Sequence, residues 1–132
     1  MLNFKRALTF TALLLTTVLL SAQPTKVNSA AMFLQQGSLD SAKFYIDAAT
    51  TNAATQNSGK AWYLRGFVYK TIYNKNEKTN KKSPARIIGL SSFKQSLKLD
   101  RTQENVQKNI KNIKYLYTTL YNAAAESRDS VH

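Results

Sequence analysis

The sequence contains no cysteine and only one histidine, and these two shortages exclude several kinds of site. Without cysteine the chain forms no disulfide framework and no thiolate metal site, and an exported form cannot carry a lipid on a terminal cysteine. The single histidine, His132, is the last residue, so it has no neighbours with which to form a catalytic triad or a metal site. We therefore expect packing alone to stabilise the fold, with no metal and no cofactor.

Acidic residues are also few, with seven Asp and Glu against 19 Lys and Arg. They are scattered, and no two carboxylates fall at helical spacing beside apolar residues that would form a pocket, as general acid–base catalysis requires. Asp40 and Glu104 fall in the first turns of predicted helices, where the helix dipole favours acids. The segment GLSSF, which begins at Gly89, lacks the second glycine of a hydrolase nucleophile elbow. We therefore predict that the protein is not an enzyme.

One apolar run, from Ala7 to Leu20, follows the cationic pair Lys5 and Arg6 near the start of the chain. Its 14 residues are few for a permanent membrane span, and small residues and a proline follow it. The pattern predicts a secretory signal peptide over residues 1–22, cleaved after Ala22, and therefore a periplasmic or extracellular protein. The alternative is that the run is retained as an anchor.

The excess of basic residues is concentrated between Lys70 and Lys114, where 12 Lys and Arg accompany three acids. Such a stretch attracts polyanions. Because the chain is predicted to leave the cytoplasm, nucleic acid is a disfavoured partner. Anionic lipid head groups, surface polysaccharides and acidic proteins are the polyanions that remain.

Apolar residues recur at intervals of three and four after the leader, and no stretch alternates with the period of a strand. The sequence therefore predicts an all-α fold of about five helices in one domain, residues 23–132. Pro24 suits the start of the first helix, Gly37 followed by Ser38 marks a stop and a new cap, and Ser83-Pro84 begins the fourth helix. The predicted helices span about 24–36, 39–52, 60–74, 84–99 and 102–128, with a polar inserted loop at 74–83.

The spacing of small and bulky residues repeats between the helix pairs. Intervals of four and then three separate Ala42, Ile46 and Ala49, and the same intervals recur in Trp62, Gly66, Tyr69 and in Gly89, Phe93, Ser96. AWYLRGFVY, residues 61–69, and SFKQSLKLD, residues 92–100, resemble the tetratricopeptide repeat, a helix-turn-helix unit. The order of the segments is similar to the start of secreted tetratricopeptide proteins of Bacteroidetes-type bacteria. The pattern departs from that family at Arg65, Gly89 and Arg101.

The resemblance implies two repeats, residues 24–57 and 58–101, followed by a final helix at 102–128. It also implies that Trp62, Tyr69 and Phe93 lie in the core. Tyr63 and Phe67 would then lie on the concave, ligand-facing side. Four residues form the predicted groove for an unknown, acidic protein or peptide: Lys60, Tyr63, Phe67 and Lys70.

Two alternatives remain open. In the first, a basic cluster in the inserted loop binds anionic lipid or surface polysaccharide, although such a loop can also be simply solvated. That cluster consists of Lys75, Lys78, Lys81, Lys82 and Arg86. In the second, the chain is a truncated remnant of a longer repeat array, since no further helix follows to cover the fifth. The sequence leaves the oligomeric state open.

Overall fold

The computed structural model describes residues 25–130, which form five α-helices. The helices are α1 Lys26–Gln35, α2 Leu39–Thr51, α3 Gly59–Ile72, α4 Ala85–Leu99 and α5 Gln103–Asp129. No strand occurs among these residues, so the all-α prediction is confirmed. The predicted leader, Pro24 and His132 lie outside the described residues. Within residues 25–130, no helix has the length and apolarity needed to cross a bilayer.

The helix boundaries follow from local capping. The Thr25 hydroxyl accepts a hydrogen bond from the Asn28 amide at 3.3 Å, and the Ser58 hydroxyl accepts one from the Ala61 amide at 3.2 Å. Gly37 has a φ of 76°, and the Ser38 amide donates to the Phe33 carbonyl at 2.9 Å. This left-handed residue ends α1 as predicted, because glycine adopts that conformation without a Cβ clash.

The inserted loop is partly helical, contrary to the prediction that it begins at residue 74. A π-helical segment, Tyr73–Glu77, continues directly from α3. Turns then lead to Ser83, whose hydroxyl donates to the Glu77 carboxylate and accepts from the Ala85 amide. The sequence did not predict this extra turn, because Tyr73 is the one buried residue of the segment and the others show no apolar periodicity.

Each helix packs against the next one along the chain. In addition, α1 contacts α3, and α3 contacts α5. Among the described residues, neither α1 nor α2 contacts α5, so the five helices form an open stack. One core cluster joins α1, α2, α3 and the start of α4, and a second joins α4 and α5 around Leu90, Phe93 and Leu116. This arrangement leaves α3 and α5 side by side.

Two of the three predicted core aromatics are buried, and the third is not. Tyr69 and Phe93 have exposed fractions of 5% and 0%. Trp62 is only half-buried, and its indole N–H donates to the Gln56 carbonyl at 2.7 Å in the loop before α3. Its ring lies beside the Arg65 guanidinium, with 5.7 Å to the ring centroid. The core prediction is therefore wrong for Trp62.

A buried polar seam fixes the start of α5 against α4 and α3. The Ser96 hydroxyl donates to the Gly59 carbonyl at 2.8 Å, and the Asn109 amide donates to the Ser96 hydroxyl at 3.2 Å and to the Asn105 carbonyl at 2.9 Å. Buried hydrogen bonds of this kind specify one relative placement of the helices. The seam therefore sets the position of the helix that faces α3.

Candidate functional site

The predicted groove residues Lys60, Tyr63, Phe67 and Lys70 lie on one face of α3, at intervals of three and four, and this face borders α5. At one end of the groove a hollow of about 370 Å³ is lined by Lys60 and Tyr63, together with residues from α5 and the turn before it. Those residues are Asp100, Thr102, Glu104, Asn105 and Lys108. The helical spacing of the α3 residues predicts that they lie together, whereas no pattern in the sequence predicts that residues of α5 line the same hollow.

The two groove aromatics differ in their burial. Tyr63 is half-buried and rests against the core residue Phe93, with 5.7 Å between ring centroids. Phe67 follows one turn later, 6.3 Å from the Tyr63 ring, and 36% of its surface is exposed. Tyr63 is therefore held by the core, whereas Phe67 offers an apolar ring to the groove.

Lys70 occupies the other end of the groove between α3 and α5. Its ammonium donates to the Asn112 side-chain oxygen at 2.7 Å and lies 4.9 Å from the Tyr115 ring centroid and 5.4 Å from that of Phe67. No carboxylate within residues 25–130 forms an ion pair with it. Burial, and then the charge of Lys111, lower the pKa of Lys70 below its usual value. The groove thus contains a partly desolvated cation without a counterion among these residues.

The α5 residues that face α3 could be predicted only in part from the sequence. Lys108, Asn112 and Tyr115 recur at helical spacing, and the lysines of the fifth helix do mark a polar face. Nothing in that spacing shows that the face meets α3. Tyr115 is held in place because its hydroxyl donates to the Asn74 side-chain oxygen at 2.6 Å.

A second charged cluster links α2, α3 and α4. The Asp47 carboxylate accepts from Arg65 Nε at 2.8 Å and from the Tyr69 hydroxyl at 2.7 Å, and Arg65 also donates to the Ser92 hydroxyl at 2.9 Å. Partial burial alone would raise the pKa of Asp47, but the hydrogen bonds from Tyr69 and Arg65 outweigh it and lower that pKa. Arg65, where the sequence departs from the repeat pattern, therefore ties three helices together.

The lysine-rich loop presents fewer free cations than the sequence suggested. Lys75, Lys78 and Lys82 are exposed, while the Lys81 ammonium lies 3.2 Å from the Glu126 carboxylate. Arg86 has an exposed fraction of only 2%. Its guanidinium donates to two backbone carbonyls and stacks 4.8 Å from the centroid of a tyrosine ring. These partners are Thr119 at 2.8 Å, Lys81 at 2.9 Å and Tyr73.

The structure therefore separates Arg86 from the exposed lysines of the loop, with which it was predicted to form one polyanion-contacting surface. The planar guanidinium matches the two carbonyls and the aromatic ring, so it packs inward while the lysine ammonium groups remain in water. Among residues 25–130, no group of three or more His, Asp or Glu side chains is arranged to hold a metal ion.

No protein-family model, no curated protein and no solved structure matches this chain. The contacts and charges of its surfaces are the basis on which a function can be assigned.

Proposed function

We propose that this chain is an exported helical-repeat scaffold of the tetratricopeptide type, which binds an acidic protein or peptide segment in the groove between α3 and α5 and catalyses no reaction. The observation that carries the proposal is the environment of Lys70. Its ammonium is partly buried between two helices and has an amide oxygen and two aromatic rings as neighbours, but no carboxylate among the described residues.

Lys70 brings a positive charge into the groove. Withdrawing an ammonium group from water is costly unless other groups compensate it. An amide oxygen and ring faces compensate in part, whereas a carboxylate forms a shorter and stronger charge-assisted bond. A ligand carboxylate would also offset the repulsion between Lys70 and Lys111. The exposed ring of Phe67 lies beside this point and suits an apolar residue next to the acid.

The repeat interpretation draws support from how the helices pack. Each helix contacts its neighbour, and α1 contacts α3 as α3 contacts α5, which suits a stack of similar units. Small residues occupy the close crossings, since Ala42, Ala49 and Ala61 are fully buried and Gly66 lies beneath a ring of α4. Ala42, Ala49 and Gly66 are among the positions that carry the family resemblance.

Selection from a library of random peptides tests the groove even though its ligand is unidentified. We expect the purified protein to select peptides that combine Asp or Glu with an apolar residue. A variant with Phe67→Ala and Lys70→Gln should lose at least about tenfold in affinity for them, as expected when a charge-assisted contact is removed.

A matched control is available from two residues outside the groove. Lys94 donates to the Tyr117 hydroxyl at 2.9 Å and lies over that ring, as Lys70 lies over Tyr115, and Phe44 on α2 is 69% exposed. The variant Phe44→Ala with Lys94→Gln should therefore bind the selected peptides like the original protein. Selection without acidic enrichment, or equal binding by the groove variant, would rule the proposal out.

Export is the part of the proposal that rests on residues 1–22 alone. A reporter enzyme that is active only outside the cytoplasm, fused after His132, should be active in a bacterial host. Changing both Lys5 and Arg6 to Glu should abolish that activity, because the positive start orients a signal peptide. If the reporter enzyme is inactive, or if its activity is the same after Lys5 and Arg6 are changed, the result would argue against export.

A second candidate function is binding of anionic lipid or surface polysaccharide through the loop. The exposure of Lys75, Lys78 and Lys82 favours it. Such binding would depend on the summed charge of the loop and would weaken steeply as salt rises. It would not change with the Phe67→Ala and Lys70→Gln variant.

A further inference from the structure

A hollow of about 470 Å³ lies between the turn that follows α3 and the C-terminal half of α5. The loop side contributes Lys78, Lys81 and the start of α4, while the opposite wall comes from α5, including Thr119, Asn122 and Glu126. Arg86 and Tyr73 also line the hollow, and the guanidinium lies 4.8 Å from the centroid of the Tyr73 ring. This surface shares no residue with the groove between α3 and α5.

Arg86 is a buried cation whose hydrogen-bonding capacity is not fully used. A guanidinium has five N–H donors, and two of these groups reach carbonyl acceptors, those of Thr119 and Lys81. Within residues 25–130, its buried Nε has no partner, and no carboxylate lies in ion-pair contact with the guanidinium. A buried charge without a counterion is costly, so an anion in the hollow would be stabilised strongly.

The charges around the hollow suggest the charge of its ligand. Lys81 is paired with Glu126, so these two side chains neutralise each other. Arg86 and Lys78 remain and leave two positive charges facing one space. Thr79 and Asn122 line the same space and add neutral hydrogen-bond donors. A doubly charged oxyanion with several acceptor oxygens fits this set better than a single carboxylate.

We infer that this hollow is a binding site for a phosphate monoester. Arg86 would meet the phosphate oxygens with the terminal N–H groups that its two carbonyl partners leave free, and Lys78 would add a second positive charge from the same lining. The phosphate group belongs either to a small soluble molecule or to a lipid head group such as that of phosphatidic acid. In either form, one phosphate group binds at one defined site. This differs from the diffuse attraction of polyanions to the exposed lysines of the loop.

Titration of the purified protein distinguishes a defined site from diffuse charge. Glycerol phosphate, followed by calorimetry or by NMR shifts, tests the soluble source. Phosphatidylcholine vesicles with and without phosphatidic acid test the lipid source. Binding should weaken as pH falls through about 6, where a phosphate monoester loses its second charge. Sulfate, which keeps its charge there, should bind without that dependence.

The loop provides matched variants for these titrations. Lys78→Gln should weaken phosphate binding about tenfold, because it removes one charge-assisted contact. Lys75→Gln and Lys82→Gln remove the same charge from exposed positions outside the lining and should leave binding unchanged. Glu126→Gln should strengthen binding, because it removes a carboxylate that lines the hollow and frees Lys81.

Binding of either probe, soluble or lipid, would support the inference if Lys78→Gln weakens it and Lys75→Gln and Lys82→Gln do not. It would be overturned if neither probe binds at millimolar concentrations, or if Lys75→Gln and Lys82→Gln weaken binding as much as Lys78→Gln. If the protein binds vesicles and all three lysine variants lose affinity equally, the summed charge of the loop explains the binding, and a defined site is excluded. Arg86→Lys keeps the positive charge but loses the planar guanidinium. This variant should bind phosphate more weakly, while its circular dichroism spectrum should show that it remains folded.

Discussion

The ring of Phe93 on α4 packs directly onto the backbone of Gly66 on α3, so closely that a Cβ at Gly66 would lie 2.7 Å from the ring carbon Cδ1. This contact brings the two helices together at the centre of the fold. The groove residue Tyr63 contacts the same ring, with 5.7 Å between the ring centroids. The absence of a side chain at Gly66 thus allows Phe93 to approach α3 closely, in contact with a residue of the candidate binding surface.

The first prediction concerns Gly66→Ala, which should destabilise the protein by about 1–3 kcal/mol because the new methyl group overpacks against Phe93. Urea unfolding would measure the change in the free energy of unfolding. Ser91→Ala, an exposed change on α4, should stay within about 0.5 kcal/mol. A more stable Gly66→Ala protein, as helix propensity alone would suggest, would contradict the packing described here.

The second prediction concerns stability in acid. The hydrogen bonds from Tyr69 and Arg65 lower the pKa of Asp47 from 3.8, despite the opposing effect of burial. A carboxylate with a lowered pKa in the folded state stabilises the fold above its unfolded pKa, and this contribution is lost as pH falls through the folded pKa. The protein should therefore lose stability below about pH 4, from this residue in particular.

Asp47→Asn tests that assignment by thermal unfolding across pH. The variant should be less stable near neutral pH and should show a flatter profile in acid. Asp129→Asn, an exposed change at the end of α5, should leave the profile unaltered. If both variants follow the original curve, the contacts of Asp47 do not contribute to acid sensitivity.

The third prediction concerns the titration of Lys70. Burial, followed by the charge of Lys111, lowers the pKa of Lys70, so its side-chain NMR signal should titrate below 10.5 and before those of surface lysines. Lys111→Gln should raise the pKa of Lys70 by removing the repulsion, whereas Lys114→Gln should not. An acidic peptide bound in the groove should raise it as well. Titration together with the surface lysines would show that the groove does not desolvate this ammonium.

The fourth prediction concerns Arg86 as a structural link between the loop and α5. Arg86→Gln loses two hydrogen bonds to carbonyls and the contact with Tyr73, and should cost about 2 kcal/mol of stability. Lys82→Gln provides the exposed control and should unfold like the original protein. A more stable Arg86→Gln protein would mean that the cost of the uncompensated charge exceeds the value of its contacts.

Helix type and most helix boundaries could be predicted because their causes are local. The left-handed Gly37, the cap at Ser58 and the Ser83 hydroxyl, which accepts from the Ala85 amide, act on the adjacent turn, and apolar residues at intervals of three and four mark one face. The π-helical segment after α3 was missed because its sequence is polar and its extension depends on Tyr73 being covered. The common face of Tyr63 and Phe67 also follows from helical periodicity alone.

The sequence by itself determined that the described residues are helical, where most of the helices begin and end, and which residues share a face, because backbone hydrogen bonding and side-chain periodicity act within a few residues. Only the tertiary structure decided that Arg86 is buried, that Trp62 is not, and that Lys70 lies against residues of α5. Those outcomes depend on helices far apart in the chain. The burial and charge environment of a long side chain are properties of what packs against it.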